Sequence, residues 1–385
     1  MTIDFVDLAK QYRSIKYQVV EEISACIERG NFVGGYWVDR FQKDFAKFHN
    51  INHCIGVGSG TDALILALKA LGIGPGDEVI VPANTFIATA FAVTHVGAKV
   101  VFVDADPKTY TIDCNDLERY LTKATKAIIP VHLYGNPADM YKIMSFADSF
   151  DLKVIEDCAQ AIGAEYDEQK VGTFGGAAAF SFYPTKNLGG LAQGGAVVTN
   201  DEEVAEKIES LANVGRVKGS HYEYQYIGYN SRLDSVNALF LTKCLEEVST
   251  WNTLRSSIAA LYRTTIDRIN VLDRQYLPED VVDAINVYHL FEVKCRDRKT
   301  RDSLRAFLDK NEISTALHYP VPCHKQIVYR DYNDQSFPVA EDLSDTLLSL
   351  PIHPWLATEE ATKVIEAMKE FFGVRRRRGW LCFKK

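Results

Sequence analysis

Across 385 residues the chain has no C-x-x-C pair, no apolar run long enough to cross a bilayer, no internal repeat and no low-complexity tract. Its eight cysteines stand singly, which excludes the usual zinc and dithiol motifs and suits a reducing compartment. Cys54, Cys158 and Cys295 lie in apolar or strand-like runs and are expected to be buried. The start, Met1-Thr2-Ile3-Asp4-Phe5-Val6-Asp7, lacks the basic n-region and apolar core of an export signal. No membrane span and a cytoplasmic location are the expectation. An excess of positive charge is also missing. The net charge is −8, and nucleic acid, which is held by clustered Lys and Arg, is not expected as a partner. The one basic cluster, Arg375-Arg376-Arg377-Arg378, lies in a tail (374–385) expected to be solvated and disordered.

What is present is a globular composition, 47% hydrophobic and 24% charged, in a chain long enough for one large domain and a smaller one. Short apolar, β-branched runs recur at 54–57, 78–82, 99–103, 127–131, 153–157, 178–182 and 195–199, with helical patterns between most of them. That alternation predicts an α/β fold around a mostly parallel sheet of seven strands. The clearest helix is expected over 62–71, opening after Ser59-Gly60-Thr61 and closing at Gly72. Beyond residue 235 the pattern changes to long helices over 235–269 and 300–310, short extended pieces, and a last helix near 359–371. This predicts a large domain over 1–235 and a small α+β domain over 236–373, on which the N-terminal segment packs.

Four constellations fall at expected carboxyl ends of strands, where open α/β sheets place ligands. In Gly58-Ser59-Gly60-Thr61-Asp62-Ala63, glycines let a backbone approach a phosphate at the start of a helix. The same residues satisfy a loose dinucleotide fingerprint, but the acid required about twenty residues further on is replaced by Pro82-Ala83-Asn84. Asp157 ends an acidic strand, with Gln160 three residues later. A single acid at a strand end is usually a helix cap; here Gln160 adds an amide that could bind the phenolate oxygen of a pyridoxal ring. Ser181-Phe182-Tyr183-Pro184-Thr185-Lys186-Asn187-Leu188-Gly189 offers a hydroxyl for a phosphate at Ser181 and an amine at Lys186. A lysine in a glycine-rich loop is by default a solvated charge. In Asn84-Thr85-Phe86-Ile87, the Phe86 ring could stack on a flat heterocycle or simply fill the core. Lysine and carboxylate in one pocket are what pyridoxal 5'-phosphate chemistry needs: the amine forms a Schiff base with the aldehyde, and the acid keeps the ring nitrogen protonated.

These segments, with Pro130-Val131-His132-Leu133-Tyr134-Gly135, Gly228-Tyr229-Asn230-Ser231-Arg232-Leu233-Asp234 and His318-Tyr319-Pro320-Val321-Pro322-Cys323-His324, occur in one order along nearly the whole chain. In this the chain resembles the DegT/DnrJ/EryC1 sugar aminotransferases, which have the fold-type I aspartate aminotransferase architecture. The resemblance implies that Lys186 carries the cofactor, Asp157 pairs with the ring nitrogen and Gln160 with the ring oxygen. It implies that Gly60, Thr61 and Ser181 hold the phosphate and that Phe86 stacks on the ring. It makes Asn230 a contact to the neighbouring subunit's phosphate, hence a homodimer with shared sites. Tyr183, His318, Tyr319 and His324 look like the sugar site, and no metal is implied. The implied reaction moves an amino group from L-glutamate, released as 2-oxoglutarate, to a nucleotide-linked keto sugar on the way to a surface polysaccharide or a glycosylated metabolite. The chain is most similar to enzymes that aminate C3 of dTDP-3-keto-6-deoxyhexoses, with C4 of a UDP- or dTDP-4-keto sugar as the alternative. Sugar dehydratases of the same fold carry histidine in place of the lysine, and a cofactor-binding regulator would need an added DNA-binding module that is not visible. Two departures fall away from Lys186 and Asp157: Ala192-Gln193-Gly194-Gly195 stands where relatives commonly have Gly-Asp-Gly-Gly, and Ile162 where they commonly have histidine.

Overall fold

The computed structural model describes residues 2–13, 15–30, 32–266 and 277–373. The basic tail and the end of the helix expected over 235–269 lie outside the described residues. In chain order the strands are β1 (His53–Val57), β2 (Glu78–Pro82), β3 (Lys99–Val103), β4 (Thr125–Ile128), β5 (Lys153–Asp157), the short hairpin β6 (Glu165–Tyr166) and β7 (Gln169–Lys170), β8 (Ala177–Ser181) and β9 (Gly195–Thr199). Seven of them form one sheet in the order β1-β9-β8-β5-β4-β2-β3. Only β9 runs against its neighbours; the other pairings are parallel. All seven expected strands are present. β4 ends before Pro130, and Val131 rejoins the ladder as a single bridge to Asp157.

Both faces of this sheet are covered, because alternate side chains of each strand point to opposite sides. Ala177, Ala179 and Val197 face a core built on the helix Gly60–Ala70, while Ala178, Phe180, Ala196 and Val198 face Phe41, Phe45 and Phe240. The helix Gly60–Ala70 is apolar on nearly every side and is buried along its length. Ser59 caps it by accepting the Asp62 N–H, which moves its start two residues ahead of the expected position.

The expected long helix over 235–269 is two helices, Ser235–Leu245 and Val248–Ile266. Neither proline nor glycine marks the break. The first helix packs its Leu239, Phe240 and Leu241 into the core with Phe41 and Phe45, so a division at residue 235 would cut through that core. Along the second helix the partners change: Val248 and Trp251 belong to the same core, whereas Ile258, Tyr262 and Ile266 pack with a separate cluster. We therefore propose that the domain boundary falls within this helix. After the short strand β10 (Ala284–Ile285), the separate cluster is built on an antiparallel pair, β11 (Phe291–Lys294) and β12 (Leu347–Leu350), flanked by the helices Arg298–Lys310 and Thr358–Phe371. Ile3 joins it through a bridge to Ile313.

Candidate active site

The sheet order sets β5 at its centre, and its last residue, Asp157, faces a cavity of about 520 Å³ at the carboxyl ends of the parallel strands. Gly60, Thr61, Phe86, Gln160 and Ser181 line the same cavity, as do Tyr183, Lys186, His318 and Tyr319. Residues from four strand ends and from the segment that follows the helix Arg298–Lys310 thus meet at one point.

The loop that carries Lys186 is pinned on both sides. Tyr12 Oη lies 3.2 Å from the carbonyl oxygens of Pro184 and Gly189 and can donate to either. Asn187 Nδ2 donates to Asn252 Oδ1 at 2.9 Å and to the Val287 carbonyl at 3.0 Å. The loop is so tight that a Cβ on Gly189 would lie 2.2 Å from the Pro184 oxygen. Lys186 is therefore not the solvated charge that an isolated lysine suggests. Burial pulls its amine down from 10.5 to about 8, against a smaller opposing attraction from Asp157.

Asp157 is buried, and burial raises its carboxyl above the usual 3.8, opposed mainly by hydrogen bonds. Thr89 Oγ1 donates to Oδ2 at 2.8 Å and the Ala159 N–H to Oδ1 at 3.1 Å. Lys186 attracts it more weakly than these hydrogen bonds do. A buried carboxylate with no cation bonded to it among the described residues fits a site that receives a protonated ring nitrogen. Glu156, the residue before it, is anchored on the other face of β5. It accepts the N–H groups of Gly172, Phe174 and Gly175. His132 Nδ1 accepts the Ala138 N–H, so its proton sits on Nε2, which donates to Glu156 at 3.1 Å.

The phosphate end also fits. The helix Gly60–Ala70 directs its free first-turn N–H groups and positive end at the cavity, beside the Ser181 hydroxyl. A Cβ on Gly60 would lie 2.7 Å from Ser181 Cβ, so only glycine lets the helix start come this close to β8. Opposite, Phe86 is half exposed into the cavity, with its ring 5.6 Å from that of Tyr319. Gln160 accepts the Tyr134 N–H at 2.6 Å and donates to Tyr319 Oη at 3.0 Å, leaving one amide proton for a ligand.

Two expected residues stand outside this cavity. Asn230 is exposed and accepts from Arg232 at 2.5 Å, so it is no part of its own chain's site. His324 is buried, bound through Nε2 to Glu341 at 3.0 Å and packed on Phe337. That corrects the expectation that it lines a sugar site: its ring is used in joining the 323–341 segment to itself. Conversely, Thr89, Gln193 and His289 belong to the site and were not expected. Thr89 had only a weak signal, a hydroxyl residue one helical turn after Thr85.

Residues 13–369 match the DegT/DnrJ/EryC1/StrS aminotransferase family. A dTDP-3-amino-3,6-dideoxy-alpha-D-galactopyranose transaminase of Aneurinibacillus thermoaerophilus is 42% identical over 96% of this chain and 99% of its own. A protein of Geobacillus stearothermophilus named as a pleiotropic regulatory protein is 41% identical over 97% of this chain and 99% of its own. The crystal structure of S. venezuelae DesV, 40% identical, superposes with a TM-score of 0.90 over 96% of this chain and 98% of its own. Other relatives are named for 3-amination of dTDP- and UDP-linked sugars, and a solved relative holds the amine form of the cofactor. The chain therefore belongs to the DegT/DnrJ/EryC1/StrS aminotransferase family, the pyridoxal phosphate-dependent enzymes that aminate nucleotide-linked sugars.

Proposed function

We propose that this enzyme transfers the amino group of L-glutamate to C3 of a dTDP-linked 3-keto-6-deoxyhexose, working as a homodimer. The observation that carries the reading is the meeting of Lys186 and Asp157 in one cavity with the Gly60–Ala70 helix start. Relatives named for 3-amination support the carbon, and those named for dTDP sugars the nucleotide.

Bound pyridoxal phosphate supplies an electron sink for a carbanion. Lys186 would hold the cofactor through its aldehyde, and once freed its amine would take the proton from the glutamate α-carbon and carry it on Nζ. An amine held near 8 has a free-base fraction at neutral pH that an ordinary lysine lacks. Asp157 keeps a proton on the ring nitrogen, with Thr89 and Ala159 fixing both of its oxygens. Gly60, Thr61 and Ser181 seat the phosphate, Phe86 covers the ring, and Gln160 offers its remaining amide proton to the ring oxygen. Tyr183, His318 and Tyr319 form the sugar side, and release of 2-oxoglutarate separates the two halves of the reaction.

Ile227, Tyr222, Tyr17, Val33, Tyr36 and Ile27 are large apolar side chains left exposed on the monomer, which supports an interface between two copies. Asn230 follows Ile227 closely in this segment, and its position outside its own cavity supports a reach into the partner's. The test is direct: incubate enzyme, cofactor and L-glutamate with dTDP-3-keto-6-deoxyglucose and, separately, with dTDP-4-keto-6-deoxyglucose. An amino sugar from the 3-keto compound is expected, identified by mass and NMR. Product from the 4-keto sugar alone would move the reaction to C4.

A further inference from the structure

Behind the sugar side of the cavity lies a buried acid that the reaction described above does not use. Glu292 in β11 and Ser349 in β12 are direct cross-strand partners, so their side chains share one face. Ser349 Oγ lies 2.5 Å from Glu292 Oε1 and 2.6 Å from His318 Nδ1. The backbone of Ser349 also pairs with Ala316, which holds the His318 segment in register against β12. His318 lines the cavity, and with Nδ1 engaged by Ser349 its Nε2 is the nitrogen left for a ligand. Tyr134 Oη donates to the His318 carbonyl at 2.7 Å and fixes the residue from the other side.

Glu292 is fully buried, and its second oxygen, Oε2, has no hydrogen-bond partner. An ionised carboxylate would not normally be left so poorly served in a dry site. Burial pushes its carboxyl up to about 8, opposed only in part by Ser349. The titratable groups around it are Tyr110, Tyr134 and Tyr319, with His318 beyond Ser349 and Arg263 on the wall of an adjoining small cavity. None makes an ion pair with it beyond the 3.9 Å approach of His318. A purely structural acid would be expected to have both oxygens bonded, as in Glu156.

Building on the transaminase reading, we propose that Glu292, Ser349 and His318 form a proton relay to the carbonyl oxygen of the keto sugar. His318 touches the substrate, and Glu292 and Ser349 are positioning residues that reload it. At rest Glu292 Oε1–H donates to Ser349 Oγ, Ser349 O–H donates to His318 Nδ1, and His318 carries its proton on Nε2. As the sugar oxygen departs, the Nε2–H bond breaks and an O–H bond forms on that oxygen. Ser349 passes its proton to Nδ1 and takes the proton of Glu292. Ser349 and His318 end neutral, and one proton has moved from the Glu292 carboxyl to the sugar oxygen; the other proton of the leaving water comes from the attacking nitrogen as it adds to the carbonyl. The Glu292 proton is restored along the same path when the incoming nitrogen sheds its own proton, so the cycle needs no outside acid.

The test separates the two half-reactions in single turnovers of the holoenzyme, followed by cofactor absorbance. One uses L-glutamate; the other uses the amine-loaded enzyme with dTDP-3-keto-6-deoxyglucose, or the 4-keto isomer if that is its substrate. Glu292→Gln preserves the shape of the protonated acid but cannot release a proton, and Ser349→Ala cuts the connection while leaving both ends. Each should slow the sugar half-reaction at least about tenfold more than the glutamate half-reaction, within the usual range for acid–base assistance. Infrared spectra of the wild-type enzyme at neutral pH should show a protonated-carboxyl stretch that Glu292→Gln removes. Equal slowing of both half-reactions, no slowing, or no such band would overturn the relay while leaving the transaminase reading intact. A wild-type enzyme that reacts with neither keto sugar would overturn both.

Discussion

Thr89→Val is the sharpest probe of the Asp157 site, because it removes one hydroxyl hydrogen bond and keeps the side-chain shape. Thr89 has a single O–H, which lies 2.8 Å from Asp157 Oδ2; Thr85, 3.0 Å away, then serves as donor to Thr89. A hydrogen bond to a charged group contributes about 1.5–3 kcal/mol. Losing it should push the Asp157 carboxyl further above its usual range, because the charged form loses a donor that now opposes the effect of burial. The carboxyl would then compete for the proton that belongs on the cofactor ring nitrogen. If the whole loss appears in the barrier, the glutamate half-reaction should slow by about 10- to 150-fold. The assay is stopped-flow absorbance of holoenzyme with glutamate, with Thr89→Ser as control because it keeps the hydroxyl. A Thr89→Val rate within twofold of wild type, or an equal fall in Thr89→Ser, would refute the assignment of that bond.

Lys186→Ala should abolish turnover and the lysine-bound cofactor spectrum; full transaminase activity in that variant would end the assignment. Capture of pyridoxal phosphate by the cofactor-free enzyme should accelerate with pH and level off above about 8, where the buried amine loses its proton. By linkage, the unfolded chain holds more protons than the folded one between about 8 and 10.5, so the Lys186 contribution to stability of the cofactor-free enzyme should rise with pH across that window; urea titrations at several pH values would check the sign. Glu156→Ala removes the acceptor of the buried Gly172 N–H and of the part-buried Phe174 and Gly175 N–H groups and should lower unfolding stability by about 1–3 kcal/mol, measured by denaturant titration. Ile227→Asp should weaken self-association, read by sedimentation as a shift toward monomer at fixed concentration.

The sheet was legible because its signal is local. Each of the seven strands is a short apolar run with turn residues at its ends, and β5 reads as a strand that ends in acid whatever lies beside it. Lys186, Asp157, Gly60 and Ser181 were readable for a related reason, since each sits in a contiguous segment of fixed order. Thr89 was not readable, because its importance depends on meeting a carboxylate 68 residues away across two strands. His324 misled for the opposite reason: its neighbours in sequence line the cavity, but its ring turns to Glu341.

Sequence alone thus determined the fold class and the cofactor chemistry, and singled out two residues, Lys186 and Asp157, that the fold brings into one cavity, because backbone periodicity and short motifs are properties of neighbouring residues. Tertiary structure decided what surrounds that pair. Packing pulls the Lys186 amine down, aims Thr89 at Asp157, and pairs β11 with β12 so that Glu292 and Ser349 stand behind His318. Such contacts join residues far apart in the chain, and the burial that gives them their electrostatic force exists only once the sheet and its flanking helices have closed around them.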